Sequence, residues 1–277
     1  MSGQALAPHE PPKIQFIAVD ADVRLEVIDW GGSGRAMVLL AGGGETAHVY
    51  DQFARKLASQ YHVFGITRRG FGASDKPRAG YTAEGLANDV LRVLDALKLE
   101  RPVLVGHSVA GEELSSIGAR FSDRIGALIY LDAASDRTYV LPPDIQRSDD
   151  FDKVGIGERP QRDPDRFNPH DELGAAVQKL DYASIRVPAL AINAAPRSWK
   201  EMMPESPQFT DAETRAAAER IVAHMARLRK YMADTFRSQV ANSRVVEIPG
   251  ASHYLFRTNE ADVLREIRGF TEESLNR

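Results

Sequence analysis

The sequence predicts an α/β fold, a mostly parallel central sheet flanked by helices, and three observations lead there. Short apolar runs at Ala36 to Leu40, His62 to Ile66, Pro102 to Val105 and Ala127 to Leu131 look like strands buried on both faces. Between them, Tyr50 to Leu57, Ala83 to Leu97 and Gly111 to Phe121 carry apolar residues at helical spacing; Val90, Leu91, Val93, Leu94 and Leu97 form one broad stripe. The regular alternation of the two patterns implies right-handed strand–helix–strand crossovers and a parallel sheet.

The other elements fit around this frame. Gln15 to Val19 and Arg24 to Asp29 read as an opening hairpin, turned near Asp20-Ala21-Asp22 and ended by Gly31-Gly32-Ser33-Gly34. From Ser135 to about Ala183 the chain is rich in Asp, Pro and Arg, as in Leu141-Pro142-Pro143-Asp144 and Arg159-Pro160-Gln161-Arg162-Asp163-Pro164, and shows no strong period. Because it lies between two strands of one sheet, it is expected as a cap-like excursion over the sheet edge. A strand resumes at Val187 to Asn193, followed by a long helix from about Asp211 to Val240, a strand at Arg244 to Ile248 and a helix at Glu260 to Phe270. The expected organisation is a tail over 1–13 and a single domain over 14–277, with the insertion at about 135–183 and a helical segment at about 199–240.

Composition narrows the function classes. With 277 residues and 43% hydrophobic content the chain can bury a large core. Its 35 basic and 39 acidic residues are intermixed, with no basic block for nucleic acid or an anionic bilayer, so neither is expected as a partner. The absence of cysteine excludes a disulfide framework, a thiol nucleophile and thiolate metal sites. Met1 to Lys13 is polar and proline-rich without the apolar core of a signal peptide, and no ~20-residue apolar span follows, so a cytoplasmic protein is expected. A homodimer stays open.

Chemistry enters at Val103-Leu104-Val105-Gly106-His107-Ser108-Val109-Ala110-Gly111, where a strand runs through small residues and a serine into a helix. A nucleophile elbow needs this context: the serine sits on a sharp, strained turn above the sheet, so the positions two away, Gly106 and Ala110, must be small, and Gly111 lets the helix pack closely. On these residues the sequence resembles the α/β-hydrolase superfamily, departing from Gly-x-Ser-x-Gly in having Ala110 at the last small position. The resemblance implies the α/β-hydrolase fold with a small cap and Ser108 as nucleophile.

The superfamily's catalytic histidine follows the last strand, and here Ile248-Pro249-Gly250-Ala251-Ser252-His253-Tyr254-Leu255 offers His253. His9, His62, His170 and His224 are poorly placed. His48 and His107 are closer rivals, and His107 reads as a strand-end residue behind the elbow. An oxyanion hole is implied at Leu39-Leu40-Ala41-Gly42-Gly43-Gly44-Glu45, where Ala41 replaces a common histidine. Its backbone donors would be Gly43 and Val109. The glycine run lacks the Gly-Lys-Ser/Thr of a phosphate cradle. Thr67-Arg68-Arg69-Gly70-Phe71-Gly72-Ala73-Ser74 resembles the superfamily's Asp-x-Arg-Gly-x-Gly-x-Ser turn with Thr67 for the aspartate, and its arginines are expected to brace loops.

The acid is the irregular member. Most relatives supply it after the strand that here ends at Ala191-Ile192-Asn193, yet Ala194 to Lys200 contains no carboxylate. A minority place it at the end of the preceding strand, and Leu128-Ile129-Tyr130-Leu131-Asp132 puts Asp132 there. Asp132 is therefore favoured, with Asp136 and Glu201 as outsiders. The resemblance implies hydrolysis of a small-molecule carboxylic ester or lactone through an acyl-enzyme intermediate, with no cofactor. No His-x-x-x-His or carboxylate cluster suggests a metal. Carbon–carbon hydrolysis, perhydrolysis, cofactor-free lyase activity and a non-catalytic ligand receptor or carrier stay open. The pocket is expected to be walled by Ser135 to Ala183 and Trp199 to Met225.

Overall fold

Strands β1 (Lys13–Asp20) and β2 (Val23–Gly31) pair antiparallel across a tight turn, and from β2 the chain passes into the parallel part of the sheet. The computed structural model describes residues 11–143, 148–155, 166–206 and 209–275. Strands β3 (Ala36–Leu40), β4 (His62–Ile66), β5 (Val103–His107), β6 (Ala127–Leu131), β7 (Ala189–Ala195) and β8 (Ser243–Pro249) complete a sheet of order β1-β2-β4-β3-β5-β6-β7-β8. The β1–β2 and β2–β4 pairs are antiparallel and all later pairs parallel. This is the α/β-hydrolase fold class with its mostly parallel sheet.

Strand periodicity explains why these runs carry no polar face. In β3, Val38 and Leu40 enter one apolar layer while Met37 and Leu39 enter the other; in β6, Leu128 and Tyr130 face Ala127, Ile129 and Leu131 in the same way. Each fully buried side chain of this size stabilises the fold by roughly 1.5–3 kcal/mol. Helices α2 (Ala83–Ala96) and α3 (Ala110–Arg120) cover the first layer; α1 (Asp51–Leu57) and the C-terminal α9 (Glu260–Leu275) cover the second. The Thr82 side chain caps α2 by accepting from Gly85 N.

The excursion after β6 holds short helices that its sequence did not announce. They are α4 (Asp150–Lys153) and α5 (Pro169–Ala175), the latter capped by Asn168 and started by Pro169. Single turns of helix bury too few residues to leave a readable period, and α4 buries none. Helix α6 (Trp199–Met202) precedes the long α7 (Ala212–Gln239), and α8 (Leu255–Thr258) follows the loop after β8. The expected terminal tail with His9, Asp144 and the Arg159 to Pro164 run lie wholly or almost wholly outside the described residues; Lys13 already belongs to β1. Among the described residues no helix is long and apolar enough to cross a membrane.

Gly111 fixes how closely α3 approaches the end of β6. A Cβ there would lie 1.9 Å from the Ala133 carbonyl oxygen, a backbone atom that cannot swing aside. We expect Gly111→Ala to destabilise the fold by about 1–3 kcal/mol, read as a lower urea midpoint at unchanged slope, although alanine is the better helix former.

Candidate active site

The parallel strands end along one edge of the sheet, and the candidate residues stand in the loops leaving those ends. Ser108 follows β5 with φ of 55°, the left-handed region that an L residue occupies at a cost of order 1–3 kcal/mol. Local bonds hold it there: its N–H donates to Leu131 O at 3.2 Å and its carbonyl accepts from Gly111 N at 3.0 Å. The small neighbour is required, because a Cβ on Gly106 would sit 2.9 Å from Leu114 Cδ1 and 3.1 Å from Ala110 Cβ.

Asp132 stands one residue beyond β6, also with a positive φ of 47°, and donates its N–H to Ile192 O at 2.8 Å. Its Oδ2 lies 2.7 Å from His253 Nδ1, and its Oδ1 accepts from Ala194 N at 3.1 Å. The strand end without a carboxylate thus supplies a backbone donor to the carboxylate of its neighbour. Burial pushes the Asp132 carboxyl up, but the His253 bond, the Arg229 cation 3.6 Å away and the Ala194 N–H together hold it below the usual carboxylate range. The other two candidate acids are occupied elsewhere. Asp136 is buried and accepts from Thr138 N at 2.8 Å and Leu180 N at 3.3 Å, anchoring the excursion. Glu201 pairs with Arg197 at 2.8 Å.

Ser108 and His253 open onto a cavity of about 900 Å³, shared with Gly42, Gly43 and Val109. Gly43 faces Val109 closely; a Cβ on it would lie 3.6 Å from Val109 Cγ1. Among the described residues neither the Gly43 nor the Val109 N–H bonds to another backbone group. The glycine loop is braced from below by Arg68, which donates to Ala41 O at 2.9 Å and Gly42 O at 3.2 Å and pairs with Glu113. Both charged side chains are about 95% buried, and burial pushes the Glu113 carboxyl up against the pull of Arg68. Arg69 likewise grips Asp89 with two nitrogens, at 2.6 and 2.5 Å.

His107 is buried behind the elbow, its ring centroid 4.5 Å from that of His253. Its Nε2 lies 3.0 Å from the His253 carbonyl oxygen, so Nε2 carries the proton and Nδ1 is left as a lone pair. That lone pair faces Glu45 Oε2 at 3.7 Å, and burial lowers the His107 pKa. His48 contacts Asp51 at 3.1 Å and lines a different cavity with Phe53 and Arg257. Among the described residues no group of His, Asp and Glu gathers as metal ligands would.

Residues 35–155 match the model of a family described as alpha/beta hydrolase fold. A solved E-2-(acetamidomethylene)succinate hydrolase superposes over 94% of this chain and 99% of its own, with TM-score 0.65 and 18% identity. The chain has the α/β-hydrolase fold. It also resembles a solved N-acyl homoserine lactone degrading enzyme, with TM-score 0.64 and 21% identity over 92% of this chain and 100% of that one. In sequence it is 34% identical over 123 residues to an uncharacterized protein of Mycobacterium tuberculosis, covering 44% of this chain and 36% of that protein. The chain spans about two fifths of the length of the curated relatives it matches.

Sequence reasoning missed several residues of this hydrolase-fold cavity. Glu45 and Tyr254 sit beside motif residues, and adjacency alone could have flagged them. Arg137, held by Glu112 at 2.8 Å, and His170, packed edge-on to Phe71, come from the irregular excursion and carried no signal. The expected second wall is corrected: none of the described residues from Trp199 to Met225 lines this cavity, and α7 instead borders a smaller one beside Asp132 and His253 through Met225, Leu228, Arg229 and Met232. The segment packs Trp199 and Met202 against Ala218, Ile221 and Val222, with Phe151 and Val154 of the excursion against the same cluster.

The Arg68 brace is open to a direct measurement. Arg68→Met should destabilise by about 3–5 kcal/mol because it leaves Glu113 buried and unpaired. Arg68→Met with Glu113→Leu should recover a large part of that loss in urea unfolding while the glycine loop stays unbraced.

Proposed function

We propose that the chain is a serine hydrolase that cleaves a small-molecule carboxylic ester or lactone through an acyl-enzyme. The observation that carries this reading is the 2.7 Å bond between His253 Nδ1 and Asp132 Oδ2 beside a cavity shared with Ser108 on its strained turn. Asp132 fixes the tautomer of His253 with Nε2 as the free base. In the first step Ser108 Oγ attacks the carbonyl carbon, His253 takes the hydroxyl proton, and the negative oxygen is met by the N–H groups of Gly43 and Val109. Collapse expels the alcohol, which receives the proton from His253. Water then attacks the acyl-enzyme, giving its proton to His253, and the acid leaves as the proton returns to Ser108. A lactone follows the same course with both products in one molecule.

A serine at the elbow supports acyl transfer over displacement at a saturated carbon, which would call for a carboxylate nucleophile there. The solved lactone-degrading neighbour makes lactones a reasonable half of the substrate panel, though at its level of identity it speaks only to fold. A fluorophosphonate probe and a series of p-nitrophenyl esters and lactones of graded chain length test the proposal. Wild type should label at Ser108 and turn over at least one member, whereas a folded wild type inert to both would overturn it.

Ser108→Ala should lower kcat at least ~10³-fold with an unchanged unfolding midpoint, since alanine keeps the Cβ of the strained turn and removes only the hydroxyl. Asp132→Asn should lower kcat up to ~10⁴-fold with a smaller change in KM, because an amide donor favours the wrong imidazole tautomer. Glu201→Gln should stay within about tenfold of wild type. The acid limb of kcat/KM should follow a single ionisation, since Asp132, held below the usual carboxylate range, is already charged where the imidazole gains its base form. Two ionisations on that limb would contradict the assignment.

A further inference from the structure

Asp132 has a second charged neighbour, reached from an element outside every motif. Arg229 sits in the middle of α7, the helix between β7 and β8, with its side chain 16% exposed and its Nη2 3.6 Å from Asp132 Oδ2, the oxygen that meets His253. Its Nη1 is buried with no hydrogen-bond partner among the described residues. A guanidinium left partly unsatisfied costs stability, so its place is not explained by its own bonding. Its neighbours Met225, Leu228 and Met232 would accommodate an apolar residue.

We propose that Arg229 is a positioning residue for the Asp132–His253 pair: its cation, held against the carboxylate oxygen that meets His253, opposes a second positive charge on the imidazole and so lowers the pH below which the imidazole is lost as a base. The proposal rests on the serine hydrolase reading and names a regulator of its acid–base pair. The sign follows from charge. A cation beside the pair favours carboxylate and opposes imidazolium, so it keeps Asp132 charged and His253 neutral to lower pH than the pair would manage alone.

The groups that face the pair come from each element packed on it. Asp132 itself leaves β6, Ala194 N–H approaches from β7, and Arg229 comes from α7. His107 stacks on His253 from β5, with Glu45 facing the far side of His107, and Tyr254 packs beside His253 with ring centroids 5.7 Å apart. Of these only Arg229 is a permanent cation. His107 is driven towards its neutral form by burial, so it does not substitute for the guanidinium.

The test compares wild type with Arg229→Met, Arg229→Gln and Arg229→Lys in two measurements. The first is the second-order rate of fluorophosphonate labelling from pH 5 to 9. The second is a ¹³C NMR titration of the Asp132 carboxyl, assigned by its loss in Asp132→Asn. The neutral variants should move the acid limb of labelling about one pH unit upward, with a loss of about tenfold on the acid side that shrinks as pH rises, and should raise the midpoint of Asp132. Arg229→Lys should keep both close to wild type. A neutral variant that slows labelling by one factor at every pH, with both profiles unmoved, would show that Arg229 merely packs α7 and would overturn the proposal. If wild type fails to label, the nucleophile assignment falls, and the Asp132 titration still decides the role of Arg229. Two neutral variants of different polarity guard against a folding failure in one.

Discussion

The hydrogen bond from His253 to Asp132 joins residues 121 positions apart, and most of the fold is arranged so that it can form. Asp132 leaves β6 and His253 follows β8, with β7 between them in the sheet. The carboxylate must therefore reach over the end of β7, and it rests on that end through Ala194 N–H. The positive φ of Asp132 turns the chain sharply enough to aim its side chain along the sheet edge.

A second constraint acts on the glycine loop. Its N–H groups can face the cavity only if its carbonyls are engaged elsewhere, and Arg68 takes the carbonyls of Ala41 and Gly42. Gly42 has to be glycine for a steric reason, since a Cβ would meet His107 Nδ1 at 2.8 Å. Gly44 combines a φ of +81° with contact against His170, so the loop and the excursion fit together through a missing side chain. The departure of Ala41 from the superfamily's usual histidine leaves this arrangement intact, because the parts that matter are backbone groups.

Much of the fold was legible in the sequence because burial on both faces leaves an unbroken apolar run, and the five-residue strands from Ala36, His62 and Ala127 appear with the bounds their pattern indicated. The excursion was legible only as an interruption. Helices of four and seven residues bury too little to impose a period, so α4 and α5 left no mark. The pocket wall was misjudged at Trp199 to Met225 because an apolar helical face does not say which neighbour it packs against, and here α6 and α7 pack on each other and on Phe151 and Val154.

The sequence by itself determined the sheet, the sharp serine turn and the list of carboxylates that could serve it, since strand burial and steric smallness act on neighbours in the chain. It also favoured Asp132 as the candidate acid, through an empty position and a family resemblance. Only the tertiary structure decided which of these groups meet. Whether Asp132 reaches His253 depends on the order of strands and the path over β7. The approach of Arg229 depends on how α7 lies against the sheet edge, and nothing adjacent in sequence marks that arginine among its charged neighbours. Interactions over short chain distances leave local patterns, whereas the electrostatics of the site arise between elements far apart in sequence and can be read only once the chain has folded.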